Sequence, residues 1–356
     1  MSELSFYRQK IDEIDEEILR LLNERAKHVI AVGEIKKKNN APIWVPSREQ
    51  AIYERLKNLN TGPFPTSCIK SVYREIISAS VALEEVQKIA YLGPEGTFTN
   101  LAGIKHFGLS AKLVPVRTIP EVFEGVDKGR FVCGVIPVEN SLEGVVNHTL
   151  DMFMNTNLVI MGEIYVEIVQ NLMSRTGNIN DIKAIYSHPN AIGQCRSWLS
   201  KNLPDIPVYE SESTAKASEM AKSDESIAAI GSEMAEIVYN LKVIEKGIED
   251  GLGNFTRFLI IGKNHIKPTG NDKTSIMFAV SHTSGALYKA IEVFSKGNIN
   301  MTKLESRPSK IKAWEYLFYT DIDGHKDSDD VKKVLKDFEN TVPLMKILGS
   351  YPKGDK

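Results

Sequence analysis

The sequence predicts a multidomain fold with three segments: an all-α segment over residues 1–87, a two-lobed α/β segment over residues 88–263, and an α+β, ferredoxin-like segment over residues 273–351. The length of 356 residues suits two or three domains of roughly 100–200 residues each. Apolar residues recur at helical spacing up to about residue 88, and short β-branched runs alternate with helical stretches beyond it.

The charge balance excludes two classes of protein. The 44 Lys and Arg residues and 46 Asp and Glu residues give a net charge of −2, which argues against a bulk nucleic-acid binder and a polybasic membrane-surface protein.

No apolar run approaches the ~18 residues of a membrane-spanning helix, and the N-terminus lacks the apolar core of a signal peptide. Cys68, Cys133 and Cys195 are too dispersed for a disulfide framework or a metal cluster, so we expect a cytoplasmic, metal-free protein.

The first segment predicts three helices. The first carries an apolar stripe, and the stripe consists of Ile11, Ile14, Ile18, Leu21, Leu22 and Val29. Ser47, a good N-cap, opens a second helix, and Ser67 opens a third after a Pro- and Gly-containing break. One long helix and two shorter ones bury little surface alone, so we expect them to associate with a second copy.

In the α/β segment, polar residues follow the predicted strands. The strand runs are Ile89–Leu92, Val132–Ile136, Ala184–Tyr186, Val208–Tyr209, Ile227–Ile230 and Phe258–Ile261. The loops after three of them are Gly93–Thr99, Glu139–Ser141 and Ser211–Thr214. Open α/β sheets bind ligands at the carboxyl ends of their strands, where helix N-termini offer N–H groups to carboxylates. The glycine loop has neither the dinucleotide fingerprint nor the phosphate-loop lysine, so we expect no nicotinamide cofactor.

The third segment follows a polar linker and predicts the element order βαββαβ, a ferredoxin-like layout. Its elements are strand Ser275–Val280, helix Ala286–Lys296, strands near Ile299–Glu305 and Trp314–Tyr319, helix Ser328–Glu339, and a strand near Met345–Leu348.

The first segment resembles the all-helical chorismate mutase domain. The resemblance rests on the blocks Arg8–Asp15, Leu22–Arg25, Val32–Lys36 and Pro46–Glu49. It implies chorismate contacts by Arg8, Arg25, Lys36, Arg48, Glu49, Ser80 and Glu84, with Lys36 and Glu84 as donors to the departing ether oxygen. Glu84 donates only when protonated, so we expect mutase activity to fall as it ionises. Val45 stands where some relatives carry Asp, which leaves one hydroxyl contact in question.

The spacing of Arg8 and Arg25 along the first helix leads to a separate prediction about oligomeric state. Arg8 and Arg25 lie 17 residues apart on one predicted helix, or about 25 Å at ~1.5 Å per residue. Both cannot contact one small dianion from the same straight helix. Either the helix breaks or a second chain supplies one of them, and we predict a dimer with shared sites.

The second segment resembles prephenate dehydratase from Ile89 to about Gly262. The blocks are Gly93–Thr99, Gly134–Ser141 with Gly144, Ser187–Pro189, Gln194–Cys195, Ser213–Ala215 and Asn254–Phe258. The resemblance implies two lobes around a cleft, as in periplasmic binding proteins, and a catalytic Thr256. We hypothesise that the Glu139 carboxyl supplies a proton. The expected prephenate contacts are Thr97, Asn140, Ser141, Gln194, Ser213, Thr214, Thr256 and Arg257.

For three residues of this segment, the sequence is compatible with two different roles. Arg257 is either a substrate cation or part of a structural ion pair. His188 is either a general base or a residue that packs or caps before Pro189. Cys195 suits a buried, inert thiol better than a nucleophile, because the implied reaction needs none.

The third segment resembles the ACT regulatory domain through Gly285–Tyr288 and Glu305–Pro308. The resemblance implies an L-phenylalanine effector site built from Gly285, Ala286, Leu287, Asn300, Glu305, Ser306, Arg307 and Pro308. Tyr288 stands where relatives often have Val, so the fit around the effector ring can differ.

The order of the three segments resembles the bifunctional P-proteins of phenylalanine biosynthesis. We therefore expect a cofactor-free enzyme that converts chorismate through prephenate to phenylpyruvate, binds neither nucleic acid nor membrane, and forms a homo-oligomer, either dimer or tetramer. Two alternatives stay open: a catalytically decayed amino-acid-sensing binding protein, and a dehydratase with a weak mutase.

Overall fold

The computed structural model describes residues 2–39, 41–251, 253–308 and 316–355. The chain divides into two compact units, which are described separately. Residues 1–87 with 107–112 form the helical unit, and residues 88–106 with 113–356 form the larger unit.

The helical unit contains α1 (Glu3–Lys38), α2 (Pro46–Leu59) and α3 (Thr66–Glu84). The Ser2 side chain caps α1 by accepting from the Ser5 N–H. Pro46 is the first residue of α2, where its missing N–H removes no helical bond. The three helices expected from the apolar pattern are therefore present.

Helices α1 and α3 approach closely at Gly33. A Cβ there would fall 3.1 Å from Glu84 Cγ, so the small residue permits the contact. On another side of α1, the side chains of Ile11, Ile14, Ile18 and Leu21 remain about half exposed. We call these four residues the α1 stripe. An apolar surface of this kind is typical of a protein interface.

The larger unit contains fifteen labelled strands and nine labelled helices within the described residues. The strands are β1 (Lys88–Leu92), β2 (Lys112–Val116), β3 (Cys133–Asn140), β4 (Gly144–Val145), β5 (Val159–Glu167), β6 (Asn171–Ser174), β7 (Ala184–Ser187), β8 (Val208–Glu210), β9 (Ile227–Gly231), β10 (Lys242–Glu245), β11 (Phe255–Gly262), β12 (Asp272–Ala279), β13 (Met301–Pro308), β14 (Tyr316–Asp323) and β15 (Leu344–Pro352). The helices are α4 (Phe98–Phe107), α5 (Ile119–Asp127), α6 (Asn147–Met152), α7 (Pro189–Gln194), α8 (Arg196–Asn202), α9 (Thr214–Ser223), α10 (Glu233–Tyr239), α11 (Ala286–Lys296) and α12 (Asp329–Glu339).

Two sheets form the two predicted lobes. Lobe 1 has the strand order β2-β1-β3-β11-β5, with β4 paired to β3, and lobe 2 has the order β10-β6-β9-β7-β8. The chain leaves lobe 1 after β5 and returns to it as β11, which lies antiparallel between β3 and β5. The ends of β3 and β11 therefore meet where the chain crosses between the lobes.

The third sheet has the order β13-β14-β12-β15, and its elements follow the predicted βαββαβ sequence. The predicted strand start at Trp314 lies outside the described residues; the described strand begins at Tyr316. One face of this sheet packs on lobe 1, where Met277, Tyr319 and Leu348 share a core with Ile160. A Cβ on Gly349 would fall 2.2 Å from the Ile160 carbonyl oxygen, so the two sheets approach at backbone distance.

Among the described residues, the helices are either too short or too polar to span a lipid bilayer.

Candidate active sites

In the helical unit, four of the predicted chorismate contacts meet where α1 faces α3. The Lys36 Nζ lies 2.7 Å from Glu84 Oε2 and donates to the Ile43 carbonyl over 2.8 Å. The Arg25 guanidinium donates to Ser80 Oγ, which in turn donates to the Ile76 carbonyl. The Glu84 side chain is almost fully buried, and Lys36 is the cation that lies beside its carboxyl group.

Helix α2 supplies Arg48 and Glu49. Arg48 is exposed, whereas Glu49 is partly buried and accepts a hydrogen bond from the Trp44 indole. Burial raises the pKa of Glu49 to about 7, although the Trp44 bond acts in the opposite direction. Glu49 therefore changes its charge near neutral pH.

Arg8 lies far from this group. Helix α1 runs unbroken for 36 residues, which removes the alternative of a broken helix. At 1.5 Å per residue, the backbone of Arg8 is about 25 Å from that of Arg25. Within one chain, Arg8 and the Lys36–Glu84 pair cannot contact the same small molecule.

In the larger unit, Asn140 connects the ends of β3 and β11. Its Nδ2 donates to Thr256 Oγ1 over 2.9 Å and to Asn254 Oδ1 over 2.7 Å. Its Oδ1 accepts from the backbone N–H groups of Leu142 and Glu143 over 2.9 and 3.0 Å. Thr256 Oγ1 accepts a hydrogen bond from Asn140, so the hydroxyl proton of Thr256 points away from Asn140. Thr256 can therefore donate this proton to a ligand.

Ser141 ties the same two strand ends together. Its N–H donates to the Phe255 carbonyl over 2.8 Å, and its Oγ accepts from the Phe255 N–H over 2.9 Å. The hydroxyl of Ser141 therefore holds the backbone on which Thr256 lies.

A cleft of about 790 Å³ separates the lobes beside these strand ends. The Glu143 carboxylate spans it and accepts from Gln194 Nε2 over 2.8 Å and from Asn190 Nδ2. Gln170 Nε2 donates to Gln194 Oε1 over 3.0 Å, which orients the Gln194 amide towards Glu143. An anionic oxygen is thus held where we predicted that Gln194 binds an anionic substrate.

The remaining predicted contacts lie at the starts of helices around the lobes. Thr97 Oγ1 donates to the Pro94 carbonyl at the start of α4. Ser213 Oγ accepts from the Lys216 N–H and caps α9, whose first residue is Thr214. Among residues 88–251, 253–308 and 316–355, the side chains of Thr97 and Ser213 and the backbone carbonyl of Thr214 form hydrogen bonds with groups other than Asn140 and Thr256.

Glu139 and Arg257 face away from Thr256. In the β3–β11 ladder, Thr256 is paired with Asn140 and Arg257 with Glu139, and neighbouring side chains on a strand point to opposite faces. Arg257 Nη1 lies 2.9 Å from Glu139 Oε1 and 2.6 Å from Asp321 Oδ2, while its Nε lies 2.7 Å from Glu163 Oε2. The guanidinium thus joins lobe 1 to the third sheet.

Two lysines complete this group, which we call the Arg257 network. Lys273 lies 2.9 Å from Glu163, and Lys303 pairs with Glu139. The three cations balance the three carboxylates, and a cavity of about 680 Å³ adjoins them. The geometry favours the structural alternative for Arg257.

The electrostatics of Glu139 oppose the proton-donor hypothesis. Burial raises the pKa of Glu139, but the charges of Lys303 and Arg257 outweigh it and hold the pKa below its usual range. An ionised carboxylate on the face opposite Thr256 has no proton to give to a group beside Thr256.

His188 and Cys195 have structural surroundings. His188 Nδ1 accepts from the Asn190 N–H at the start of α7, which is the capping alternative. Cys195 is fully buried, and burial raises the pKa of its thiol to about 12. Among the described residues, no group of three His, Cys, Asp or Glu side chains could hold a metal ion.

The predicted effector residues lie at the start of α11 and along β13. Gly285 adopts φ +79° before α11, a conformation that favours glycine. Asn300 Nδ2 donates to Asp323 Oδ2 over 3.1 Å, and Arg307 lies 3.1 Å from Asp151 of lobe 1. Ala286 and Leu287 begin α11, while Glu305, Ser306 and Pro308 share β13 with Arg307.

Strand β13 has two different faces. Lys303, Glu305 and Arg307 are partly buried, and Leu304 and Ser306 are exposed. Lys303 and Arg307 contact lobe 1, so one strand connects the exposed face of the third sheet to the back of the Thr256 strand pair.

Sequence reasoning missed three polar residues here: Glu143, Gln170 and Asn254. Asn254 stands in a block that carried the dehydratase resemblance, but only its bond to Asn140 brings it to the site. Gln170 lies in the segment that crosses between the lobes, where no strand or helix pattern marks it.

Comparisons with known proteins agree with this division. The sequence profile of chorismate mutase type II matches residues 7–85, and that of prephenate dehydratase matches residues 89–266. A protein of Aquifex aeolicus named bifunctional chorismate mutase/prephenate dehydratase is 52% identical over 99% of both chains. The Escherichia coli protein of the same name is 32% identical over 97% of this chain and 95% of its own.

A solved structure adds a fold comparison. The prephenate dehydratase of Arthrobacter aurescens in complex with L-Phe is 31% identical, with a TM-score of 0.69, over 74% of this chain and 89% of its own.

Proposed function

Since the chain belongs to the family of bifunctional chorismate mutase/prephenate dehydratases, we propose that its helical unit rearranges chorismate to prephenate and that its two-lobed segment converts prephenate to phenylpyruvate. The observation that carries the proposal is the bond from Asn140 to Thr256, which leaves the threonine proton to a ligand close to Asn254, a residue that lines the cleft.

The mutase step is a Claisen rearrangement and needs no covalent intermediate. In it the enzyme holds the reactive conformer and stabilises the charge that grows on the ether oxygen. Lys36 and protonated Glu84 are the donors to that oxygen. Arg25 forks onto one carboxylate with support from Ser80, while Arg48 and Glu49 contact the remaining polar groups.

A dimer completes this pocket. Arg8 lies about 25 Å along the helix from Arg25, so a second chain supplies the Arg8 that reaches the other carboxylate. The exposed α1 stripe supports the same arrangement, because the partner would cover these four apolar side chains.

The dehydratase step breaks two bonds together. The ring carboxylate leaves as CO₂, its electron pair enters the ring, and the hydroxyl departs as water with a proton that comes from solvent through Thr256. Thr256 donates a hydrogen bond to the leaving hydroxyl, and the N–H of Asn140 polarises Thr256. Gln194 lines the cleft and contacts the substrate there. The other substrate contacts in this proposal are Ser141, Thr97, Ser213 and Thr214.

The segment that contains the third sheet is an ACT domain, and L-phenylalanine bound to it lowers dehydratase activity. The related Arthrobacter protein was solved with L-Phe, which supports this effector. Binding near Gly285 and Ser306 would displace β13, whose other face contacts lobe 1 through Lys303 and Arg307. The three free cysteines, one of them exposed, suit a cytoplasmic protein.

A two-step assay tests the proposal against its rivals. Purified, metal-stripped protein is given chorismate or prephenate, and loss of chorismate and formation of phenylpyruvate are followed separately. We expect turnover of both, and inhibition of the second by L-phenylalanine. Binding of L-phenylalanine without either turnover would support the decayed binding protein, and turnover of prephenate alone would support the weak mutase that Val45 suggests.

A further inference from the structure

Asn254 offers an unused hydrogen-bond donor beside Thr256. The residue is 2% exposed and directly precedes β11, two positions before Thr256. Its Oδ1 accepts from Asn140, but its Nδ2 has no hydrogen-bond partner among residues 2–39, 41–251, 253–308 and 316–355. Buried polar groups are nearly always paired, so a free donor here indicates that something else supplies the acceptor.

The orientation of this amide is fixed by its neighbours. Two backbone N–H groups, of Leu142 and Glu143, donate to Asn140 Oδ1, which leaves Asn140 Nδ2 as the donor to Asn254. Rotating the Asn254 amide by half a turn would set two N–H groups against each other. The free atom of Asn254 is therefore its nitrogen.

The position of the donor points to the substrate. Asn254 lines the cleft together with Glu143 and Gln194. Thr256 Oγ1 and Asn254 Oδ1 bond the same Asn140 nitrogen, so they lie within about 6 Å of each other. A molecule of prephenate size whose hydroxyl contacts Thr256 would thus have its carboxylates within reach of Asn254.

We propose that Asn254 is a substrate-binding residue of the dehydratase site and that its Nδ2 donates to the carboxylate which the product retains. The inference rests on the proposed dehydratase function. The ring carboxylate loses its charge as CO₂ departs, so a donor to it would stabilise the substrate more than the transition state. The side-chain carboxylate keeps its charge throughout, and a donor to it strengthens binding without slowing the chemistry.

The exchange N254D separates this role from a structural one. It keeps the oxygen that Asn140 bonds and replaces only the free donor, with an oxygen that repels a carboxylate. We expect the KM for prephenate to rise 100-fold or more in N254D and roughly 10-fold in N254A, with kcat within about threefold of wild type. A purely structural role predicts instead that stability and kcat fall in both variants, because N254A loses the bond to Asn140 and N254D buries a charge.

Two further measurements complete the test. Inhibition by phenylpyruvate, which carries only the retained carboxylate, should weaken in N254D by the same factor as the KM rises. Chorismate turnover by the same variants reports the integrity of the chain, and N202D, at an exposed position of α8, controls for added charge. Unchanged KM in N254D, or a loss confined to kcat, would overturn the proposal. Wild-type protein without prephenate turnover would instead refute the dehydratase function.

Discussion

Asn140 Nδ2 donates to Thr256 Oγ1 over 2.9 Å, joining the end of β3 to the start of β11 across 116 residues of sequence. Backbone N–H groups hold the other side of the Asn140 amide, so this donor cannot rotate away. The threonine proton is consequently free for a ligand. The hydrogen bond from Asn140 polarises the Thr256 hydroxyl, which is a weak acid. Thr256 needs this polarisation to assist the departure of the substrate hydroxyl.

The exchange T256A removes that donor. We expect kcat for prephenate to fall roughly 10²–10⁴-fold, the usual contribution of a positioned proton donor, while chorismate turnover is unchanged. T256S keeps the hydroxyl and should retain a substantial share of the rate. Near-normal dehydratase turnover in T256A would show that another group assists the leaving hydroxyl.

The Arg257 network should matter for stability rather than for substrate affinity. D321N removes one of the two buried carboxylates beside Arg257, and breaking a buried ion pair costs about 3–5 kcal/mol. We expect the free energy of unfolding of the larger unit to fall by about 3 kcal/mol in denaturant titrations. D337N, on the exposed side of α12, is the matched control and should change little.

Substrate kinetics then decide between the two alternatives for Arg257. A structural cation predicts that D321N leaves the KM for prephenate within about threefold of wild type under conditions where the protein is folded. A much larger change in the KM, without loss of stability, would indicate that Arg257 contacts the substrate.

The fold was predictable where local pattern determines it, and the sites were predictable only in part. Buried strands such as β9 read as continuous apolar runs. Strand β6 was missed because two of its four buried residues are polar: Asn171 accepts from the Gly247 N–H and Ser174 from the Gly177 N–H. The pairing of Arg257 with Asp321 spans 64 residues, and no local pattern contains it.

Glu49 makes the stability of the helical unit depend on pH. Burial raises its pKa to about 7 in the folded chain from an ordinary value of about 4.5, so the folded state binds the proton more tightly than the unfolded state. Stability is therefore full below pH 4.5 and is lost as pH rises towards 7. Because the side chain retains some solvent contact, we expect a loss on the order of 2 kcal/mol.

The exchange E49Q should abolish this loss. Unfolding of the variant, followed by helix circular dichroism between pH 4.5 and 8, should show a flat free energy and a gain over wild type at pH 8. E54Q, on the exposed face of the same helix, should keep the wild-type slope. Parallel curves for all three proteins would mean that Glu49 titrates as an exposed carboxyl.

Glu84 should determine the pH dependence of the mutase. As a carboxyl it donates to the ether oxygen only when protonated, and its Oε2 lies 2.7 Å from Lys36 Nζ. We expect kcat/KM for chorismate to fall as pH rises through its titration, and E84Q, whose amide donates at every pH, to flatten that profile. E85Q, one position beyond α3, is the control. An unchanged profile in E84Q would remove Glu84 from the chemistry.

The shared pocket makes a quantitative prediction about mixed oligomers. R8A and K36A should each lose most mutase activity, because each removes a contact to chorismate. When the two variants are co-expressed and associate at random, half of the dimers contain one chain of each kind, and one of their two pockets combines an intact Arg8 with an intact Lys36. We therefore expect about a quarter of the wild-type activity in the mixture, a recovery that only a pocket built from two chains allows. R8A mixed with an R8A, K36A double variant contains no intact pocket and should stay inactive. If the first mixture is as inactive as its parents, Arg8 and Lys36 do not come from different chains.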